Sequence, residues 1–238
     1  AFSRVIYDRD GNVMRVGLTP DQKYRIRTRL EDIPREAIAS VIRYEDRWFW
    51  KHPGINVAAL ARAGLNMICG GRVMGGSTLT MQVARLALGL RTGSMRDKII
   101  QIAYAIKLER HFSKAQILEC YFNMAPYGGN VEGLAAAAMG YFHKAPSRLT
   151  PSESLSLMLV PQNPVARRPS AENKQWTKAV WRLIEDWTGE TEHAPLRIYS
   201  LRQMPFACPH LSSEMLMRQN EGDSIYATID SRQQKRLE

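Results

Sequence analysis

Residues 34–54 read PREAIASVIRYEDRWFWKHPG and predict a helix over 34–50. Pro34 favours the first helical position, and a His-Pro-Gly sequence at 52–54 follows the expected end. Apolar residues recur on one side of this helix at three- and four-residue spacing, namely Ile38, Val41, Ile42, Trp48 and Phe49. Glu45 falls close to the middle of that apolar side. A carboxylate in such a place loses hydration, so it requires a partner or a use.

Helices predominate after this stretch. Their patterns predict helices over 56–69, 78–89, 95–111, 114–124, 131–141, 151–160 and 174–188. Two of these begin with capping boxes, formed by Ser113 with Gln116 and by Thr150 with Glu153. The sequence therefore predicts a mainly α fold.

The two ends of the chain have different patterns. Residues 1–30 alternate apolar and polar positions around an Asp-Gly-Asn turn at 10–12, which predicts a short β-hairpin. After Gly189 the helical pattern fades into a loop-rich connector. The closing sequence SIYATIDSRQQKRLE at 224–238 predicts a strand followed by the start of a helix.

The composition is that of a folded, basic protein. Of 238 residues, 45% are hydrophobic, and 33 Lys and Arg against 23 Asp and Glu give a net charge of +10. This balance favours an anionic partner such as nucleic acid, lipid headgroups or a phosphorylated substrate, although a solvated basic surface would also account for it. The basic residues form no long run, which disfavours a nucleic-acid tail.

Cysteine use and hydropathy narrow the possible classes of protein further. Cys69, Cys120 and Cys208 lie far apart and form neither a CxxC pair nor a metal-ligand spacing, so we expect no disulfide framework. No stretch reaches the roughly 18 apolar residues of a membrane span, and the N-terminus lacks a signal-peptide pattern. Any membrane anchor is therefore expected outside this chain.

The glycine-rich loop GGRVMGGS at 70–77 could approach a ligand closely through its backbone. A helix N-terminus follows at Ser77 and Thr78, and Gln82 and Arg85 lie on the next helix. Such an arrangement can hold phosphate. It is not a Walker A loop, because no Lys follows Gly76. From the residues alone, anion binding and a plain glycine turn both stay open.

The segment RDKIIQIAYAIKLER at 96–110 is apolar on most of its circumference, so we expect this helix to be central to the fold. Lys98, Gln101 and Glu109 are its polar exceptions. A polar residue on a buried helix is either a satisfied structural group or a functional one, and the pattern does not choose between them.

Taken in order, these stretches resemble the peptidoglycan glycosyltransferases, glycosyltransferase family 51. The first motif of that family is matched by Glu45, Asp46, Phe49, His52 and Gly54. The second is matched by Gly75, Gly76, Ser77, Thr78, Thr80, Gln82 and Arg85. Later elements are matched by Leu108, Glu109, Ser113, Lys114, Ile117, Leu118, Glu119, Tyr121 and Asn123. The resemblance covers about residues 35–165 and is closest to the type 1C branch of the class A penicillin-binding proteins, through EDRWFWKHPG, APYGGNVEG and PQNP.

This resemblance implies a lysozyme-like glycosyltransferase fold with a small membrane-facing jaw at about 55–75. Residues 1–30 would pack on the domain as the β-hairpin, 31–190 would form the glycosyltransferase domain, and 191–238 would lead toward a transpeptidase domain. The chain has no Ser-x-x-Lys and no Lys-Thr-Gly, so we expect no transpeptidase activity from it.

The resemblance also implies a reaction, the polymerisation of lipid II into β-1,4-linked glycan. Glu45 would be the general base that takes the proton from the acceptor GlcNAc 4-hydroxyl. That oxygen attacks C1 of the donor MurNAc with inversion and releases undecaprenyl pyrophosphate. Gln101 stands where most of the family have a second Glu, which puts a direct acid role there in doubt. The implied substrate-binding residues are Asp46, Phe49, His52, Gly76, Ser77, Thr78, Gln82, Arg85, Lys98, Glu109 and Asn123.

Further expectations come from the same family. The partners would be lipid II, the growing glycan strand, the bacterial inner membrane surface, moenomycin-type inhibitors and other cell-wall synthesis proteins, with no nucleic acid. The domain would lie on the periplasmic face of the inner membrane. No cofactor would be obligatory, with Mg²⁺ able to assist the pyrophosphate. Two alternatives stay open: a lysozyme-like hydrolase that uses Glu45 as general acid, and a catalytically weak peptidoglycan-binding or scaffold module.

Overall fold

The computed structural model is mainly helical, as predicted, and carries one small sheet. It describes residues 1–68, 76–91, 94–189, 191, 194–201, 204–205, 209–217 and 224–230. The helices are α1 (Arg35–Glu45), α2 (Val57–Ile68), α3 (Leu79–Leu88), α4 (Met95–His111), α5 (Lys114–Met124), α6 (Leu134–Phe142), α7 (Pro151–Met158), α8 (Lys174–Thr188) and α9 (Pro209–Met217). The strands are β1 (Val5–Tyr7), β2 (Val13–Val16) and β3 (Ser224–Tyr226).

The predicted hairpin is confirmed. Strands β1 and β2 pair antiparallel, and the Asp8 carboxylate organises their turn by accepting the backbone N–H groups of Asp10 and Asn12 at 2.9 and 2.8 Å. The predicted C-terminal strand is also present and pairs parallel with β1, which gives the order β2-β1-β3. The helix predicted after β3 lies outside the described residues.

The core is built around α6. Every residue of α6 is buried, and its run of four alanines allows neighbouring elements to approach closely. Helices α3, α4 and α5 pack on one another, and α1 packs against α7. Both predicted capping boxes are present, at Ser113 with Gln116 and at Thr150 with Glu153, so α5 and α7 begin where expected.

The first helix is shorter than predicted. It ends at Glu45, because Asp46 leaves helical geometry with φ −157° and ψ 73°. The Asp46 carboxylate instead bonds to groups outside the helix, in the way that Asp side chains compete with helical structure. The prediction of one apolar side that includes Trp48 was wrong, since Trp48 is 49% exposed while Phe49 is fully buried.

The prediction that α4 is central to the fold was also wrong. Its buried residues are Gln101 and Ala105, while Met95 and Ile99 are each 64% exposed. Periodicity shows which side of a helix is apolar, but it does not show whether another element covers that side. In this helix the polar Gln101 faces inward and much of the apolar surface does not.

Two other expectations are only partly met. The expected jaw at 55–75 includes α2, but its residues 69–75 lie outside the described part of the chain. The connector expected to be loop-rich contains α9, whose Leu216 packs with Ile6 and Met14 beside the sheet. None of the described helices is long and apolar enough to cross a membrane.

Candidate active site

The carboxylate of Glu45 is half-buried at the C-terminal end of α1 and is held on both oxygens. Oε2 accepts from the Gln82 side-chain amide at 2.9 Å, and Oε1 accepts from the Gln162 amide at 2.6 Å. A carboxylate offers about four lone-pair positions, so two remain for a further donor. The acid that the sequence placed in an apolar setting is therefore oriented by two neutral amides.

Asp46 has a structural place next to this acid. Its buried carboxylate accepts the Leu79 N–H at the start of α3 at 2.9 Å and bonds to His52 Nε2 at 2.9 Å. His52 Nδ1 in turn accepts the Gly54 N–H at 3.2 Å, so the proton of a neutral His52 lies on Nε2 and points at Asp46. Asp46 and His52 thus fasten the end of α1 to the start of α3.

A second network ties α3 to α4 and α5. Thr78 caps α3 and donates to the Gly54 carbonyl at 2.6 Å, while Glu109 accepts from Thr80 at 2.6 Å and from Lys114 at 2.7 Å. The ammonium of Lys114 lies 4.5 Å from the centroid of the buried Phe49 ring. The predicted site residues Phe49, Thr78 and Glu109 therefore lie among the contacts that join α3 to α4 and α5.

Gly54 lets its own backbone approach α4 closely. Its φ is +91°, and a Cβ there would lie 2.7 Å from the Ala105 carbonyl oxygen. Gly54→Ala is expected to lower the free energy of unfolding by about 3 kcal/mol, from left-handed backbone strain and the clash with backbone. Urea unfolding measures it, with Gly89→Ala as control, since that glycine has φ +61° and open space around its Cβ. Equal losses in both variants would contradict this account.

Two cationic groups lie along α3, Lys98 beside its N-terminal side and Arg85 in its last turn. Lys98 Nζ donates to Ser77 Oγ, and Arg85 lies one turn beyond Gln82 on the same face of α3. Burial, with the charge of Arg85 as a smaller cause, lowers the pKa of Lys98. Neither cation forms an ion pair with a carboxylate of the described residues. Gly76 packs on α2, where a Cβ would lie 3.2 Å from the Ala59 carbonyl oxygen.

Two predicted site residues have contrasting places. Gln101 is buried on α4, at 6% exposure, and its amide has no hydrogen-bond partner among the residues the structure describes. The Asn123 side-chain amide bonds to the backbone of Thr28. It accepts the Thr28 N–H at 2.9 Å and donates to the Thr28 carbonyl at 2.8 Å. Asn123 therefore fastens the N-terminal segment to α5.

Two neighbouring buried tyrosines were not predicted as site residues, and one of them, Tyr121, lies close to Glu45. Burial, with the negative charge of Glu45 as the next cause, raises the pKa of the Tyr121 phenol. Burial also raises the pKa of Tyr127, whose hydroxyl has no partner among the described residues. Both phenols therefore stay protonated at neutral pH. Tyr121 matches a later element of the family, so the sequence contained a signal that could have marked it as a site residue.

Gln162 was likewise missed, because the sequence PQNP entered only as part of the family resemblance. The described residues contain no group of three or more His, Cys, Asp or Glu that could hold a metal ion. The arrangement therefore combines an oriented, half-buried carboxylate beside Gln82 of α3 with two cations along the same helix that have no carboxylate partner among the described residues. Such a pair suits proton removal from a hydroxyl and stabilisation of an anionic leaving group.

Comparison with known proteins gives consistent matches. Penicillin-binding protein 1C of Escherichia coli (strain K12) is 38% identical over 249 residues, which cover 99% of this chain and 32% of that protein. Penicillin-binding protein 1A of Rickettsia typhi is 33% identical over 194 residues, covering 76% of this chain and 24% of that protein. The chain thus spans about a third or less of these relatives.

A crystal structure of penicillin-binding protein 1A from Haemophilus influenzae aligns with 98% of this chain and 27% of that one, at 18% identity and a TM-score of 0.42. This likeness is too distant to add to the assignment. A family model described as transglycosylase matches residues 10–187. The chain therefore belongs to the transglycosylase family, the peptidoglycan glycosyltransferases that its motifs resemble.

Proposed function

We propose that this chain polymerises lipid II into β-1,4-linked glycan strands. Glu45 removes the proton of the acceptor GlcNAc 4-hydroxyl as that oxygen attacks C1 of the donor MurNAc. Undecaprenyl pyrophosphate leaves from the opposite face, so the configuration at C1 inverts. The single observation that carries the proposal is the Glu45 carboxylate, held by two amides and open to a third donor.

The two cations beside α3 support the donor half of this reaction. As the bond from C1 to the pyrophosphate breaks, negative charge grows on the leaving oxygens. Lys98 and Arg85 have no carboxylate partner among the described residues, so their charge is available to such a group. Ser77, at the N-terminal side of α3, adds a hydroxyl and the end of a helix dipole.

A polymerisation assay on the purified chain with labelled lipid II tests this function directly. The proposed activity produces glycan strands of increasing length. Shortening of added strands would instead support the lysozyme-like hydrolase, and binding without turnover would support the scaffold module. The cation set is what favours the transferase, since hydrolysis of a glycosidic bond has no pyrophosphate to neutralise.

We propose that the reaction has no obligatory cofactor and that Mg²⁺ assists the substrate pyrophosphate rather than occupying a protein site. The same assay with Mg²⁺ or with a chelator tests this. Chelation is expected to slow polymerisation without abolishing it. Complete loss that is restored only by Mg²⁺ would contradict the proposal.

The proposed location is the periplasmic face of the bacterial inner membrane, where lipid II is presented. Exposed apolar residues on α2, such as Val57 at 69% and Leu65 at 61%, fit a surface that contacts lipid. Co-sedimentation of the chain with vesicles that contain anionic lipid is the measurement. The variant Leu65→Asp is expected to weaken that association.

Gln101 is proposed to act by hydrogen bonding rather than as an acid. Gln101→Glu is expected to change the polymerisation rate by less than about tenfold, which is roughly 1.4 kcal/mol of barrier. Gln101→Ala is expected to cost more, because it leaves the buried position without a donor. Steady-state rates of both variants on lipid II test this. A hundredfold gain in Gln101→Glu would mean that the parent chain is an impaired transferase.

A further inference from the structure

The Glu45 carboxylate has a partner outside the first and second family motifs, Gln162 in the PQNP stretch, for which the resemblance implied no role. Gln82, on α3, belongs to the second motif, whereas Gln162 lies in the loop after α7. The shorter of the two contacts is the one from Gln162, at 2.6 Å against 2.9 Å from Gln82. The two amides approach from different elements, so together they restrict rotation of the carboxylate about its side chain.

The chemistry of its neighbours fixes the orientation of the Gln162 amide. Arg167 donates from Nη1 to the Gln162 Oε1, and the same nitrogen reaches the Leu159 carbonyl at 3.4 Å. A guanidinium has only donors and an ionised carboxylate only acceptors, so the amide oxygen must face Arg167 and its nitrogen must face Glu45. The charge on Arg167 also polarises the amide and strengthens its N–H as a donor.

The loop that carries Gln162 and Arg167 is held by its own hydrogen bonds. Asn163 accepts the Ala166 N–H through its side chain at 3.1 Å and the Arg167 N–H through its carbonyl at 2.8 Å. Asn173, the cap of α8, donates to the Ala166 carbonyl at 2.9 Å. Pro161 and Pro164 further restrict the backbone. The amide is therefore presented from a fixed support.

We propose that Gln162 is a positioning residue for Glu45 and that Arg167 acts through Gln162. The proposal rests on the function given above, in which Glu45 is the base. A base accepts a proton efficiently only when its lone pair points along the line of transfer, and two amides on different elements set that direction. A direct Arg contact would also orient Glu45, but it would pair the carboxylate with a full charge and weaken it as a base.

The first test is Gln162→Ala in the lipid II assay. We expect kcat to fall about 20-fold, the loss of a hydrogen bond to a charged group, with KM within about twofold. Gln175→Ala is the matched control, since that glutamine is exposed on α8, and it is expected to keep the parental kcat. A parental kcat in Gln162→Ala, or a change in KM alone, would overturn the proposal.

The second test asks whether Arg167 acts through Gln162. Arg167→Ala alone is expected to lower kcat about fivefold, and to lower it no further when Gln162 is already alanine. Arg168→Ala is the control, because that side chain lies against Gly128 and Tyr141 instead. Independent, multiplying effects of the two substitutions would show that Arg167 supports the fold rather than the amide.

A third measurement separates this proposal from the proposed function. The melting temperatures of the parent, Glu45→Ala, Gln162→Ala and the double variant form a cycle that needs no substrate. We expect the loss caused by Gln162→Ala to shrink by at least half when Glu45 is absent. Additive losses would overturn the contact even in an active enzyme. If the melting-temperature losses are not additive but the chain does not polymerise lipid II, the contact between Gln162 and Glu45 is supported and the proposed function is rejected.

Discussion

Glu45→Gln is expected to slow lipid II polymerisation by about a thousandfold, the middle of the range that a general base contributes. The substitution keeps the shape of the side chain but removes the group that can accept a proton. Its amide oxygen can still accept from Gln162, and the Gln82 amide can turn to accept from the new NH₂ group. The loss should therefore appear in kcat and not in folding.

Thermal unfolding checks that separation. The melting temperature of Glu45→Gln is expected to equal or exceed that of the parent, because a partly desolvated charge has been removed. Glu185→Gln is the control, as this exposed acid on α8 should affect neither rate nor stability. A Glu45→Gln variant that keeps more than about a tenth of the parental rate would exclude Glu45 as the base.

Arg85→Ala and Lys98→Ala are each expected to lower kcat about a hundredfold, by analogy with removing one group that stabilises developing negative charge. The reason is local: no described carboxylate pairs with either cation, and burial lowers the pKa of Lys98 by disfavouring its charged form. An anionic pyrophosphate would offset that cost. Both variants are therefore also expected to bind moenomycin more weakly, because this phosphoglycolipid would carry its phosphate to the same place.

Rates and inhibitor affinity should be measured on the same preparations, the affinity by fluorescence anisotropy with a labelled inhibitor. Arg197→Ala is the matched control, since its guanidinium is exposed in the connector and stacks on Tyr199. Arg202, a second basic residue of the connector, lies outside the described residues. If Arg85→Ala and Lys98→Ala polymerise and bind inhibitor like the parent, the donor-site assignment is wrong even where Glu45 is confirmed as the base.

The elements that could be predicted from the sequence are those with local causes. Helix starts at Ser113 and Thr150 follow from capping boxes, whose donors and acceptors lie three residues apart. The burial of α4 could not be predicted in this way. An exposed Ile99 and a buried Gln101 depend on which elements pack against the helix, and that information lies elsewhere in the chain.

The same distinction applies to the site. Motif order brought Glu45, Gln82 and Lys98 together as candidates, and the structure places them around α3. Gln162 is 117 residues from Glu45 along the chain, and the PQNP stretch that contains it does not indicate this contact, so the contact becomes visible only in the fold. Conversely, Asp46 and Asn123 match motifs and also hold elements together in the structure, and motif matching does not separate that role from substrate contact.

The small sheet has a mechanical consequence. Strand β1, near one end of the chain, and β3, near the other, run parallel and side by side, and further bonds continue the pairing from Ala227 to Tyr7 at 2.9 Å and from Arg9 to Ile229 at 3.0 Å. A pull on the two ends would therefore act along the strands and load these bonds together, in shear, instead of opening them one by one. Tension applied between β1 and β3 would meet this resistance before it reached the helices around Glu45.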